Sequence, residues 1–217
     1  MKNIDEHSPI NLIGRFIRFI FTTNSAIWFE KDLTEKFINY KTKIPLEIDI
    51  SSTNLTIEWL KSQKLNWLIH TQEIETAIKY NHYWPSVSNN GIIIGSIKVG
   101  LKKVYIADYD QIVDLPEKTA FIYDTYVLNE KRGKGVAKFL IVESIKYLKS
   151  KGFLKVKCHI PVWNKASISA YEHIGFQKTS YNRFFRIFGF KICKVKTLKK
   201  YPKAKEHKIS QEDISGG

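Results

Sequence analysis

Lys131-Arg132-Gly133-Lys134-Gly135-Val136-Ala137 decides how this chain is read, because it lies between a strand and the helix that the strand feeds. Upstream, Ala120 to Leu128 is rich in aromatic and β-branched residues, as strands are. Downstream, Val136 to Lys151 sets Ala137, Leu140, Ile141, Ile145 and Leu148 on one helical side, and Gly152 follows the last turn. A helix start offers unpaired N–H groups and the positive end of a dipole. Gly133 and Gly135 remove the Cβ atoms that would keep an anion off the backbone, and Arg132 and Lys134 add charge. The joint reads as a phosphate site. It has neither the Gly-x-x-x-x-Gly-Lys-Ser/Thr of a Walker loop nor the Gly-x-Gly-x-x-Gly of a dinucleotide fingerprint.

The sequel strengthens it. Leu154, Val156, Cys158 and Ile160 alternate with Lys155, Lys157 and His159, the period of a strand with one buried face. Asn164 and Tyr171 follow seven positions apart, close to two helical turns, so both fall on one face of a short helix. Ile174-Gly175-Phe176 ends that helix and begins another strand. Asn164 can also cap that helix, and Phe176 to Tyr181 with Phe184 to Cys193 read as a closing hairpin. Upstream, Ile57 to Tyr80 reads as two helices divided near Lys64, Asn89-Asn90-Gly91 as a turn into the run Ile92 to Val99, and Lys103 to Ala107 as that run's partner strand. The order strand–helix–strand–helix–strands predicts a mixed α/β sheet around a parallel crossover.

Tyr123 to Phe176 resembles the GNAT superfamily, the Gcn5-related N-acetyltransferases. Arg132-Gly133-Lys134-Gly135-Val136-Ala137 matches that family's Arg/Gln-x-x-Gly-x-Gly/Ala motif, and Asn164 to Phe176 its later Asn…Ala-Tyr…Gly-Phe motif. The resemblance implies an α/β (α+β) acyl-CoA N-acyltransferase fold. Its sheet would be mostly antiparallel and flanked by helices, with a central parallel strand pair splayed around the coenzyme. It also implies acetyl-CoA as co-substrate and no metal. The pyrophosphate would rest on the backbone of residues 132–137, with Asn164 and Tyr171 also on the coenzyme. The pantetheine arm would add to Val127 like a strand, and an N–H at Val127 or Leu128 would face the thioester oxygen. By the family's pattern, Tyr171 is the proton donor to the departing sulfur.

Direct attack by an amine with a pKa of about 10.4 needs a base. Many relatives carry a glutamate upstream of the equivalent of Val127, where this chain has Phe121 and Ile122. Asp124 is the acid on that strand and the candidate base, although strand alternation puts it opposite Val127, beside Tyr126. His82 is a second candidate, and Tyr83 and Trp84 are candidate walls of the acceptor pocket. His159 alternates to the lysine face and is expected to be solvated. Cys158 falls in the apolar phase, which argues against a nucleophilic role.

Composition limits the alternatives. The chain has 217 residues, 43% of them hydrophobic, enough for an ordinary core, and carries 35 basic against 21 acidic side chains, a net of +14. Residues 131–157 hold nine Lys/Arg and one acid, and 191–208 eight Lys and one acid, so these blocks supply +15 and the rest −1. Local polyanion sites follow, not a generally cationic protein. A nucleic-acid or anionic-surface binder is the weaker reading, because aromatics are sparse among these lysines. A coenzyme sensor without catalysis is the third. Two cysteines make neither a disulfide framework nor a metal cage, and a cytoplasmic location is expected. The division is 1–42 as an extension on the core, 43–197 as the catalytic domain and 198–217 as a basic tail. Ser8-Pro9 opens an amphipathic helix that could pack on the core, form a dimer contact or touch a membrane. The acceptor is a primary amine of unread identity; the acidic loop 108–118 could draw a cationic one.

Overall fold

The strand that feeds the glycine turn, β7 (Thr119–Val127), lies inside an eight-stranded sheet. The structure, a computed structural model, describes residues 21–35, 40, 42–50, 53–187 and 190–198. The helix read from Ser8 and the tail after Leu198 lie outside these. The sheet order is β10 (Phe190–Thr197), β9 (Gln177–Ile187), β1 (Phe21–Asp32), β8 (Lys155–Pro161), β7, β4 (Ile92–Leu101), β3 (Ser86–Asn89) and β2 (Glu47–Asp49). Neighbours are antiparallel except β7 and β8, which are parallel.

Helix α3 (Val136–Ser150) makes the crossover between that parallel pair and buries Val136, Leu140, Ile141, Ile145 and Leu148 against the sheet. Burying five such side chains contributes about 1.5–3 kcal/mol each before entropy is counted. Helices α1 (Thr53–Ser62) and α2 (Thr71–Tyr80) are divided where expected, by Lys64 in the left-handed region (φ 56°). A short 3-10 turn, Asn66–Leu68, links them. Asn90 and Gly91, both at positive φ, form the two-residue turn from β3 to β4. Helix α4 (Lys165–His173) is the short helix of Asn164 and Tyr171.

The parallel pair is short for a physical reason. Ile122 pairs with Val99 and Asp124 with Lys98, which leaves Tyr123 as an extra residue on β7. Such a bulge bends its strand. Pairing of β7 with β8 runs only from Thr119–Lys155 to Ile122–Cys158 and stops at that bulge. Beyond it a gap opens between residues 123–127 and 159–161.

Three expectations change. Strand β1, assigned to an extension packed on the core, lies within the sheet between β8 and β9, its Ala26 and Phe29 fully buried. Strand β5 (Lys103–Ile106) does not pair with β4; the left-handed Lys102 (φ 62°) turns the chain away, and β5 pairs with β6 (Gln111–Asp114), inside the region read as a loop. The closing hairpin expected from Phe176 to Tyr181 and Phe184 to Cys193 does not break between those segments: Asn182 and Arg183 continue β9, because Asn182 pairs with Ala26 on one side and Val195 on the other. No described helix is long and apolar enough to cross a membrane.

Candidate active site

A cleft of about 1040 Å³ occupies the gap, bounded by β7, β8, the start of α3 and helix α4. At its α3 end, Gly133 (φ 74°) and Gly135 (φ 90°) take conformations that L side chains rarely adopt. Gly135 is the N-cap of α3 and supplies no side-chain cap. The first-turn N–H groups of α3 therefore have no intrahelical acceptor, and Gly135, Val136 and Ala137 border the cleft. A Cβ on Gly133 would meet nothing within 4 Å, so only its φ requires glycine; one on Gly135 would lie 2.6 Å from Tyr40 Oη. Lys131, Arg132 and Lys138 add positive charge to the same wall. Unpaired amides, glycines and cations on one surface fit a pyrophosphate. Arg132 also folds back on β7, its Nε donating to Val127 O at 3.1 Å and its guanidinium 5.7 Å from the Tyr126 ring centre.

The backbone beside the gap is specific. Leu128 N–H donates to Ile94 O at 2.9 Å, so the Leu128 option for an oxyanion donor is removed. By strand alternation Val127 N–H points the other way, into the gap. Neither Leu128 nor Lys134 lines the cleft; the Lys134 carbonyl accepts from Lys43 N–H.

Asn164 and Tyr171 both border the cleft. The Asn164 side chain accepts from Ser167 N–H at 3.1 Å and caps α4. Tyr171, 5% exposed, packs edge-on against Phe176, and its hydroxyl lies 3.3 Å from Thr125 Oγ1. Burial pushes its phenol well above the ordinary range, so it stays protonated. It can give a proton but not take one.

Asp124 borders the cleft together with Thr125, Tyr126 and Val127. The pairing of Asp124 to Val127 with Lys98 to Gly95 is unbroken, so alternation still sets Asp124 beside Tyr126 and opposite Val127, with both faces reaching the cleft. Asp124 is not alone. Lys98 Nζ lies 3.0 Å from Asp124 Oδ2 and 2.6 Å from Glu73 Oε2, and it also donates to Leu68 O. The ammonium stands 4.8 Å from the Trp84 ring and 5.6 Å from the Tyr123 ring. Burial works against the Lys98 charge, but Asp124 and Glu73 more than offset it and hold Lys98 above its usual value. Glu73, 3% exposed, is pushed up to about 7, by burial first and by Asp124 second, against the pull of Lys98. Glu73, Tyr123 and Asp124 border a pocket of about 220 Å³ that shares Trp67, Leu68, Asp108, Tyr123, Asp124 and His159 with the cleft.

Other candidates go elsewhere. Tyr83 does not line the cleft; its hydroxyl donates to Ser144 O under α3 and its ring packs on Tyr147. Trp84 is fully buried and donates from Nε1 to Tyr123 Oη at 2.6 Å. Both support the sheet rather than an acceptor. His82 is buried against the carbonyls of Leu101 and Lys103, and that burial lowers its pKa. His159 is not solvated: the β5–β6 hairpin covers its face of β8, its Nε2 meets Asp108 Oδ2 at 2.9 Å, and its ring lies against Phe121, Tyr109 and Trp28. Cys158 is buried, and burial raises its thiol well above the ordinary range, which removes it as a nucleophile.

A splayed parallel strand pair, with a glycine-rich helix start on one side and a tyrosine helix on the other, defines an acyl-CoA-type transferase site. A family model for the acetyltransferase (GNAT) family matches residues 53–176, more than half of the chain, and the chain belongs to that family. An uncharacterized N-acetyltransferase of Bacillus subtilis (strain 168), YycN, is 26% identical over 153 residues, which cover 67% of this chain and 89% of that protein. The GCN5-related N-acetyltransferase from Sphaerobacter thermophilus has a similar fold, with a TM-score of 0.52 at 12% identity, over 88% of this chain and 57% of its own. So does the glucosamine N-acetyltransferase region of a fungal multi-domain GH3 β-N-acetylglucosaminidase, at 0.54 and 15%, over 82% of this chain and 23% of that one.

Proposed function

We propose that this protein transfers the acetyl group of acetyl-CoA to a primary amine by direct attack within a ternary complex. The observation that carries the proposal is the parting of β7 from β8 after Ile122 and Cys158. It leaves a strand edge, an uncapped helix start and the Tyr171 hydroxyl around one cleft. Acetyl-CoA supplies an activated acetyl thioester. Amides at Gly135, Val136 and Ala137, with Gly133, Arg132 and Lys138, hold the pyrophosphate. Val127 N–H steadies the carbonyl oxygen, and Asn164 shapes the helix that carries Tyr171. Asp124 takes a proton from the incoming ammonium, and Tyr171 gives one on the sulfur side.

The 220 Å³ pocket receives the amine. Of its carboxylates Glu73, Asp108 and Asp124, the first and last share Lys98, whose three N–H groups are already engaged, and Asp108 meets His159. An acceptor arriving as an ammonium suits that balance. Of the acidic loop, Asp108 is the residue that reaches the pocket, while Asp110 accepts from Tyr105 and Asp114 pairs with Lys103.

The test is to incubate the full chain with acetyl-CoA and a panel of amines, following free thiol and acetylated product. Product with simple cationic amines is expected. Saturable coenzyme binding with no product from any amine would leave a sensor. Absence of coenzyme binding, alongside salt-sensitive binding of DNA or RNA, would replace the enzyme with a nucleic-acid binder.

A further inference from the structure

The Glu73–Lys98–Asp124 cluster has a geometry that a plain structural ion pair does not need. Two carboxylates from different elements, Glu73 of α2 and Asp124 of β7, share one ammonium of β4. Lys98 is 2% exposed and Glu73 3%, whereas the Asp124 side chain is 36% exposed and borders the cleft. The Lys98 nitrogen spends its three N–H groups on Glu73, Asp124 and the Leu68 carbonyl, and has no lone pair left to accept a proton. It acts by its charge alone. How that charge is divided depends on Glu73.

We infer that Glu73 is a positioning residue for catalysis: through Lys98, its ionisation frees Asp124 to take the proton that leaves the acceptor's ammonium. The inference rests on the acetyltransferase reading. In the step itself one N–H bond of the ammonium breaks and its electron pair stays on nitrogen. The proton forms an O–H bond on Asp124 Oδ and passes later to water. When Glu73 is protonated, the whole Lys98 charge bears on Asp124. When Glu73 is ionised, it claims part of that charge, and less of it bears on the Asp124 carboxylate that meets the acceptor. Burial of Glu73 puts the changeover at about pH 7. Its other polar surroundings are His70, whose carbonyl accepts from Glu73 N–H and which itself lines the pocket, Tyr123 of β7, and Tyr105, Asp108 and His159 across the pocket.

The decisive experiment is a carbon-13 carboxyl titration by NMR on the full chain, needing no acceptor. One glutamate carboxyl should titrate near pH 7, with a matching inflection at an aspartate carboxyl, and Glu73→Gln should remove both. The inference is overturned if no glutamate titrates above about pH 6, or if the aspartate inflection survives in Glu73→Gln. Turnover supplies a second readout, with acetyl-CoA and 1,5-diaminopentane as probes. Wild-type kcat should rise with pH through about 7. Glu73→Gln should lose that limb and about tenfold in kcat at pH 8, with coenzyme affinity unchanged within about twofold. Glu73→Asp should restore part of the limb, which a merely structural role would not do. A limb that persists in Glu73→Gln contradicts the inference. Failure of the wild type to bind acetyl-CoA would instead sink the enzymatic reading and leave the titration standing.

Discussion

The two ends of the cleft are made of different material. At the α3 end the working groups are backbone: N–H groups at a helix start that no side chain caps, brought within reach of an anion by two glycines. At the other end they are side chains from α2, β4 and β7 converging on one buried ammonium. A backbone site tolerates most substitutions that keep the turn, and fails when a glycine is lost. A side-chain site fails when one member is removed, because the others are then left buried with uncompensated charge. In the proposed reading the first fixes where the coenzyme lies. The second can be tuned, and so is where acceptor choice and pH response would reside.

Substitutions at each end should separate these roles. The largest effect is expected midway, at Tyr171. Tyr171→Phe removes the proposed proton donor and should lower kcat by about 10²- to 10⁴-fold, while coenzyme affinity stays within about twofold. Steady-state kinetics beside calorimetry checks the split; equal loss of both would assign Tyr171 to binding. Next is Lys98→Met, which leaves Glu73 and Asp124 facing each other without their cation. It should cost about 3–5 kcal/mol in chemical denaturation, and a near-neutral result would show that water already compensates the pair.

Glu73 gives a pH signature. Its folded pKa, about 7, lies above the ordinary 4.5, so the folded state holds the proton more tightly than the unfolded chain. That stabilisation is complete below pH 4.5 and is lost as pH rises through 7. Between these limits the wild type should lose stability relative to Glu73→Gln, on the order of 3 kcal/mol, read from denaturation midpoints. Smallest is Asn164→Ala, which removes the α4 cap and should cost about 1 kcal/mol in the same assay.

The same contrast explains what could be read from the chain alone. The glycine turn, α3, the Asn164 cap and the placing of Tyr171 are local, set by residues within two turns of one another. The Asn90-Gly91 turn and the break at Lys64 were legible for the same reason. The charged cluster was not. Helix α2 buries Glu73, Thr76 and Ala77 and leaves Ile78 73% exposed, so its apolar pattern points away from the face it uses. A lysine inside the run from Ile92 to Val99 was the one available signal, since a buried strand carries a cation only with partners. Asp124 was phased correctly, beside Tyr126 and opposite Val127, but its share in the Lys98 ammonium was not legible, because that depends on pairing with β4, which alternation along β7 does not encode. His159 was misread because its cover, the β5–β6 hairpin, comes from a stretch whose acidic flanks hide the short Ile112-Val113 strand.

The central claim is that main-chain amides at the glycine turn hold the coenzyme. Calorimetric titration of acetyl-CoA into the wild type and Gly135→Val tests it most directly, since a side chain there meets both a positive φ of 90° and the Tyr40 hydroxyl. Saturable binding in the wild type, at least about tenfold weaker in the variant, is the result predicted. Equal affinities, or no binding to the wild type, would contradict it.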